Sequence, residues 1–348
     1  MSRYGDIGRP VLLLEAYKDW ADERRGSDLE EAQTKADFPE FLYGSVSQSM
    51  YKGYTKVMPQ YARYTAKENL QNFQPHRVRG LNGIRGIGYV GDAGEYPELR
   101  RSERPSASLV IDTYGGVYSV TRQATINDDS GHLLKDNPED MGYEAGLFVN
   151  ETIMAFIESN PTAPDGDTVY HANHNNAVTA ALDETALAAA ISAMENQTDE
   201  DGRQIRVTPE TLAVKNVVLE LIANRIIRSQ QTGTTINDST SVDFDKGTDN
   251  PLAGILPANA VVRDPYWSDA NDWYLFASPR QVPAFAAGFL NGKEEPSVFL
   301  KNPEARGALG GGGQDPYTWE WDSVDFKVRL DFGVGVVDHR GTYRSIVT

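Results

Sequence analysis

The sequence predicts an α+β fold in two subdomains, on three observations. The first is Val117–Asp129, an alternating strand that stops on a turn-forming Asn-Asp-Asp. Tyr118, Val120 and Arg122 face one way there and Val117, Ser119 and Thr121 the other, as pleating requires. The second is a long amphipathic helix close behind, over 138–159. The third is a pair of strand-like runs that close the chain, Ser323–Phe332 and Val334–Asp338. A length of 348 residues allows a large core and gives two units as a prior.

Taken in order, residues 1–36 are polar and charge-rich, with a short helix expected at Val11–Arg24. A helix follows at Phe38–Tyr54, with Asp37 as N-cap, Pro39 in the first helical position, and Phe41, Leu42, Ser45, Val46 and Ser49 as its inner stripe. Residues 55–82 read as mostly extended. From Gly83 the chain turns Gly-rich and then charged, through Gly91-Asp-Ala-Gly-Glu-Tyr-Pro-Glu-Leu-Arg-Arg-Ser-Glu-Arg-Pro105. With Ile84–Val90 on one side and Leu109–Val120 on the other, this predicts a long two-stranded hairpin with a polar tip. Such a hairpin cannot bury its own faces and needs a surface to lie on.

The long helix is the best-specified element. Asn137 is its expected N-cap, Pro138 its first position, and Glu139 and Asp140 complement the dipole. Met141, Ala145, Phe148, Val149, Thr152, Ile153, Phe156 and Ile157 recur every three or four residues. The stripe spans roughly 30 Å at 1.5 Å per residue, and Asn160-Pro161 ends it. A Pro/Gly/Asp loop and Tyr170-His-Ala-Asn-His-Asn-Asn176 come next. Then follow a helix capped by Asp183 and carrying Leu187, Ile191 and Met194, a strand at Thr211–Val214, and a helix at Val217–Arg228. Gln230–Asn250 is a polar loop; strands are expected at Ala260–Arg263 and Trp273–Phe276, and a Gly-rich break at Gly307–Gly313.

Composition excludes several classes. Apolar residues at 40% with aromatics at 10% place the chain among globular proteins. Thirty-three basic residues against 50 acidic ones leave a net charge of −17, the wrong sign for gripping nucleic acid. Zero cysteines rule out disulfides, thiolate zinc sites and Cys nucleophiles. Leu12-Leu13-Leu14 is followed at once by Glu15, Lys18 and Asp19, too short for a secretory core, and no run of about 18 apolar residues would span a membrane.

The chemical motifs resolve into structure. Gly86-Ile-Gly88-Tyr-Val-Gly91 fits the dinucleotide pattern, with Asp112 downstream, but Asp92-Ala-Gly-Glu-Tyr-Pro97 cannot open the helix that would receive a pyrophosphate. His171-Ala-Asn-His174 offers two imidazoles at i, i+3, a conceivable metal pair, yet lacks the Glu of His-Glu-x-x-His and sits among Asn173, Asn175 and Asn176. It reads as a hydrogen-bonded turn between subdomains; a metal-dependent hydrolase using His171 and His174 is the rival from another class. Asp243-Phe-Asp245-Lys-Gly247-Thr-Asp249 starts like a calcium loop but has Gly254 where the bidentate acid belongs. Gly310–Gly313 lacks the Lys-Ser/Thr of a phosphate loop. Arg122 with Asn127, Asp128 and Asp129 is expected to form a buried ion pair and turn cap at the hairpin root. No catalytic residue, cofactor, metal or covalent crosslink is expected.

Five stretches carry a resemblance: Tyr114–Asp129; Pro138–Ser159; Gln197-Thr-Asp-Glu-Asp-Gly202 leading to Val207–Val214; Asp264-Pro with Trp273-Tyr-Leu-Phe-Ala-Ser-Pro279; and Leu330-Asp-Phe-Gly-Val-Gly-Val-Val-Asp-His-Arg-Gly341. In this order and spacing, the chain beyond about residue 36 resembles major capsid proteins of tailed phages with the Hong Kong 97-type fold. The nearest pattern is the Mu-like major head subunit family, where a His/Asn/Gly-rich segment recurs after the spine helix and its loop.

The resemblance implies a division of the chain. Residues 1–54 would be an N-terminal arm and helix, 55–82 the first part of the peripheral domain, and 83–116 an extended loop reaching over a neighbour. Residues 117–165 would be peripheral domain with spine helix 138–159, 166–322 the axial domain, and 323–348 C-terminal strands returning to the peripheral domain. It implies a structural head protein that self-assembles into pentamers and hexamers of an icosahedral shell around double-stranded DNA, built in the host cytoplasm and found in the virion. Implied partners are its own copies, a portal, a scaffolding protein and decoration proteins; an encapsulin-type compartment is the alternative of the same fold. Glu95, Glu98, Arg100, Arg101, Glu103 and Arg104 at the loop tip would make inter-subunit contacts. No Lys lies between Lys67 and Lys135, so the Lys–Asn crosslink of some members is not expected. About 36 residues precede the matching region, which implies separate scaffolding, or none, and an uncleaved N-terminus. The acidic balance would suit a container wall that must not adhere to DNA.

Overall fold

The structure is a computed structural model that describes residues 37–78, 84–85, 87–92, 94–101, 107–127, 132–199, 202–229, 231–232, 248–250, 252–301 and 322–347. The expected helix at 11–24 and the breaks at 233–247 and 307–313 lie outside these residues. The N-terminal helix α1 spans Asp37–Thr55. A 3-10 turn at Gln60–Arg63 leads into β1 (Thr65–Leu70). The hairpin region holds β2 (His76–Val78), β3 (Ile84–Arg85), β4 (Arg100–Arg101) and β5 (Ala107–Leu109), after which β6 runs over Asp112–Thr121. A short helix α2 (Arg122–Asn127) precedes the long helix α3 (His132–Glu158).

The second half begins with β7 (Ala177–Val178), α4 (Glu184–Glu195), β8 (Pro209–Val214) and α5 (Val217–Arg228). It continues through β9 (Gln231–Thr232), β10 (Thr248–Asp249), β11 (Val261–Arg263) and β12 (Trp273–Ala277). The last strands are β13 (Phe285–Leu290), β14 (Ser297–Leu300), β15 (Ser323–Val336) and β16 (Thr342–Ser345).

Two five-stranded sheets organise the molecule. In the first, β15 is the central strand: β13 and β14 share one edge, and β6 pairs antiparallel along the other from Ser323↔Thr121 to Phe332↔Asp112. Strand β1 joins β13 in parallel. The second sheet has the order β11-β8-β12-β16-β7. Helix α3 lays Val149, Ile153, Met154 and Ile157 on Phe285, Phe289, Leu330 and Phe332 of the first sheet. Helices α4 and α5 cover one face of the second sheet through Leu187, Ile191, Met194, Ile226 and Ile227. Its other face, with Tyr274 and Phe276, joins the core beneath α3. Both faces of β12 are therefore buried, and its period-2 alternation sorts Trp273 and Leu275 from Tyr274 and Phe276.

Helices α1 and α3 cross at contact distance because both carry glycine there. A Cβ on Gly142 would collide with the Met50 carbonyl oxygen, and one on Gly53 with that of Glu139. Val46 and Met50 of α1 then pack with Val120, Phe326 and Val328.

Several expectations change. The long helix starts six residues before Pro138, which lies inside it. Asn137 does not cap: its Nδ2 donates to the Tyr118 hydroxyl at 2.6 Å. Glu139 binds Lys52 of α1 at 2.9 Å and Lys56 just past its end, so its charge serves the helix crossing. Two lysines at one carboxylate hold its pKa down, at about 2. The β6 alternation holds as far as Thr121, but Arg122 opens α2. Ser323–Phe332 and Val334–Asp338 form one continuous strand as far as Val336.

The hairpin also pairs otherwise. Its ladders are β2 with β5 and β3 with β4, whereas 112–121 pairs with β15. Phe285–Leu290 and Ser297–Leu300 sit in the first sheet. Thr342–Ser345 sits in the second.

Candidate functional site

The hairpin is rooted in a small core of its own. Val78, Leu109 and Ile111 pack against Leu70, Ala286 and Val337. The chain at Val110 lies so close over β15 that a Cβ on Gly333 would strike the Val110 carbonyl oxygen. That explains why Phe332-Gly-Val-Gly335 carries glycines within a strand. Beyond the root, the tip bends at Gly91, whose carbonyl accepts from the Gly94 N–H at 2.9 Å.

This tip exposes large apolar side chains. Ile87 is 90% exposed, Tyr89 97%, Tyr96 82% and Leu99 58%. Glu95 and Glu98 are exposed among them. Arg100 and Arg101 form β4 opposite Ile84 and Arg85. Glu103 and Arg104 lie outside the described residues.

A groove of about 630 Å³ opens between β6 and α3. Tyr114, Val117, Tyr118, Met141, Phe148 and Leu330 line it, with Asp140 and Glu144 also at its wall. Tyr114 meets Phe148 and Phe332 in ring contacts at 5.2 and 4.8 Å. At the far end of β6, Arg122 Nε lies 2.9 Å from Asp322 Oδ2, and its N–H donates to the Asp322 carbonyl at 2.8 Å. The pair therefore clips the end of the β6–β15 ladder and is half-exposed rather than buried. Asp128 and Asp129 lie outside the described residues, and Asn127 is the last residue of α2, exposed.

The two sequence histidines part company. His171 accepts from the Asn173 N–H at 3.2 Å, capping the 3-10 turn Ala172–His174. His174 is buried and joins Asp165 and His339: Nε2 lies 2.8 Å from Asp165 Oδ2, and His339 Nδ1 lies 3.1 Å from the same oxygen. His174 Nδ1 meets the Val169 carbonyl at 2.9 Å. The His174 and His339 rings stack face to face, centroids 3.7 Å apart and planes within 8°.

These three groups are the candidate metal donors among the described residues. Two imidazoles on one tetrahedral ion at 2.0–2.1 Å would hold their centroids about 5 Å apart, with in-plane lone pairs converging. Stacked rings at 3.7 Å do not present that arrangement. The arrangement suits hydrogen bonding through a shared carboxylate.

A model of the phage capsid protein family matches residues 106–345. The chain belongs to that family. The match takes in β6, α3, the first sheet apart from β1, the second sheet and the histidine cluster. No curated protein matches the sequence. Among solved structures, a chain from Microbacterium phage Oxtober96 is 13% identical, with 84% of this chain and 91% of that one covered at a TM-score of 0.49. One from Mycobacterium phage Patience is 11% identical, with 92% and 90% covered at 0.49. The holo-SrpI encapsulin complex of Synechococcus elongatus PCC 7942 is 9% identical, with 84% and 88% covered at 0.45.

The capsid protein is thus a structural, shell-forming protein with an α+β architecture. Sequence reasoning missed Asp322 as the partner of Arg122 and Asp165 and His339 as partners of His174. Each lies on a distant segment, and only the Asp338-His-Arg-Gly341 run hinted at a polar junction.

Proposed function

We propose that the capsid protein builds an icosahedral phage head of pentamers and hexamers around double-stranded DNA, and that its hairpin tip docks on the neighbouring subunit. The observation that carries the docking is the apolar tip. Ile87, Tyr89, Tyr96 and Leu99 project into solvent with no described element of their own chain over them. A copy that buried them would gain what this fold leaves exposed. The groove between β6 and α3 offers a receiving surface, and Asp140 and Glu144 there complement the arginines at 100 and 101. Glu95, Glu98, Glu103 and Arg104 would complete the charged contacts.

In this reading the first sheet with α3 is the peripheral domain, the second sheet with α4 and α5 the axial domain, and residues 1–54 the arm. The order of motifs supports membership in the Mu-like head group. The wall acts by repeated weak contacts closed by symmetry, without catalysis or cofactor. Its net charge of −17 keeps packaged DNA from adhering. Portal, scaffolding and decoration proteins would be its partners, with assembly in the host cytoplasm and residence in the virion. No helix among the described residues is long and apolar enough to cross a membrane.

Expression alone and with the neighbouring genes, followed by negative-stain microscopy, tests this. Closed shells some tens of nanometres across support it; DNA inside marks a phage head, and protein cargo an encapsulin-type compartment. A persistent soluble monomer overturns it. Denaturing gels of shells should show monomer only, since no Lys stands between Lys67 and Lys135 to crosslink the loop.

A further inference from the structure

The chain passes between the two sheets three times: from β6 to β7, from β12 to β13, and from β15 to β16. Asp165 sits on the first crossing, just beyond α3, and His174 follows it; His339 sits on the third. One carboxylate oxygen reaches both rings, at 2.8 and 3.1 Å. Asn176 reinforces the junction, its Nδ2 donating to the carbonyls of Val169 at 2.8 Å and His339 at 3.1 Å. The middle crossing packs against the third, with the Val337 N–H donating to the Ala284 carbonyl at 2.8 Å.

We propose that Asp165, His174 and His339 form a proton-sensitive clasp that ties these crossings together, and that acidification opens it. The inference rests on the fold and is independent of the shell reading. His174 presents both ring nitrogens to acceptors, the Val169 carbonyl at 2.9 Å and the Asp165 carboxylate at 2.8 Å. His339 donates Nδ1–H to the same carboxylate as a neutral imidazole stacked on the His174 ring. A proton added to His339 would place a buried cation face to face with that ring. Burial chiefly, and the His174 charge next, hold the His339 pKa down at about 4. Asp338 and Asp165 pull it up and Arg340 pushes it down. His171, with its ring 6.0 Å from His174, and Asp167, 3.6 Å from His171, lie beside the cluster.

An opened segment frees His339 to take a proton near the ordinary value of 6.5, whereas the closed form resists until about 4. The open form binds more protons in that window, so the clasp is intact above it and weakens as pH falls through it.

Hydrogen–deuterium exchange on the full-length protein, corrected for the intrinsic pH dependence of exchange, reads this directly. In wild type, amides of 161–178 and 337–346 should exchange at least about tenfold faster as pH falls through the window, tenfold being one unit of proton linkage. Peptides of α3 should stay protected. His339→Gln, which cannot take the second proton, should flatten the dependence. Asp165→Asn, which removes the shared acceptor, should expose both segments already at neutral pH. Wild-type segments that stay protected to the bottom of the window overturn the proposal without any variant. So does His339→Gln opening in step with wild type.

Discussion

Replacing Tyr89 and Tyr96 together by Ser separates folding from assembly. Both rings stand almost wholly in solvent, at 97% and 82% exposure, so the subunit gives up no packing of its own. If a neighbour buries them, each contributes about 2 kcal/mol of apolar burial at that contact. The pair then amounts to roughly 4 kcal/mol, about three decades in the association constant. Each subunit donates one hairpin, so the loss recurs at every subunit of a shell. Light scattering against protein concentration gives the assembly threshold, and thermal unfolding of unassembled subunits gives the control. The double variant should unfold at the wild-type temperature while its threshold rises by two to three orders of magnitude. Assembly at the wild-type threshold would refute the docking argument. A marked fall in unfolding temperature would show instead that the tip packs on its own chain.

Other substitutions probe the frame that holds the hairpin. Gly142→Val drives a side chain into the Met50 carbonyl at the α1–α3 crossing and should cost about 1–3 kcal/mol or more, seen as a lower denaturation midpoint; an unchanged midpoint would mean the helices can separate freely. Arg122→Ala should cost no more than about 1 kcal/mol, because the pair with Asp322 is half-exposed; a larger loss would give the clip a greater role than its exposure allows. Asp264 is buried, and burial raises its pKa although Tyr64 and the Tyr266 N–H hydrogen-bond to it. A carboxyl whose folded pKa is raised is stabilising when protonated and loses ground as pH rises from its unfolded value through the folded one. Asp264→Asn should therefore match or exceed wild-type stability at neutral pH and lose that advantage in acid; an Asn variant weaker than wild type at neutral pH would contradict the burial argument.

Local signals sufficed wherever a segment decides its own conformation. Asp183 caps α4 through the Ala186 N–H, and Leu187, Ile191 and Met194 are buried on it as their spacing predicts. The helix at Val217–Arg228 has the predicted bounds, and β6 alternates as far as Thr121. Asn160 ends the long helix in a left-handed conformation, φ 53°, and pairs with Tyr170 in both directions. The order of these elements was also enough to expose the family, because order and spacing lie wholly in the primary structure.

Tertiary contacts decided the rest. Pro138 and Asn137 look like a helix start, yet Tyr118 engages Asn137 and the helix begins earlier. The arms of the hairpin were misread because β15, some two hundred residues away, offered 112–121 a longer ladder than 84–90 could. The sheet membership of β13, β14 and β16 was settled in the same way: strand pairing is a contact between remote segments, and hydrophobic pattern does not name the partner. The histidines show it most plainly. Two that are neighbours in sequence took different roles, and the one buried found its companions, Asp165 and His339, only where the chain crosses between sheets. Period and capping are set by residues within a turn or two of each other, whereas a shared carboxylate, a strand register or a helix crossing at paired glycines exists only once distant segments meet.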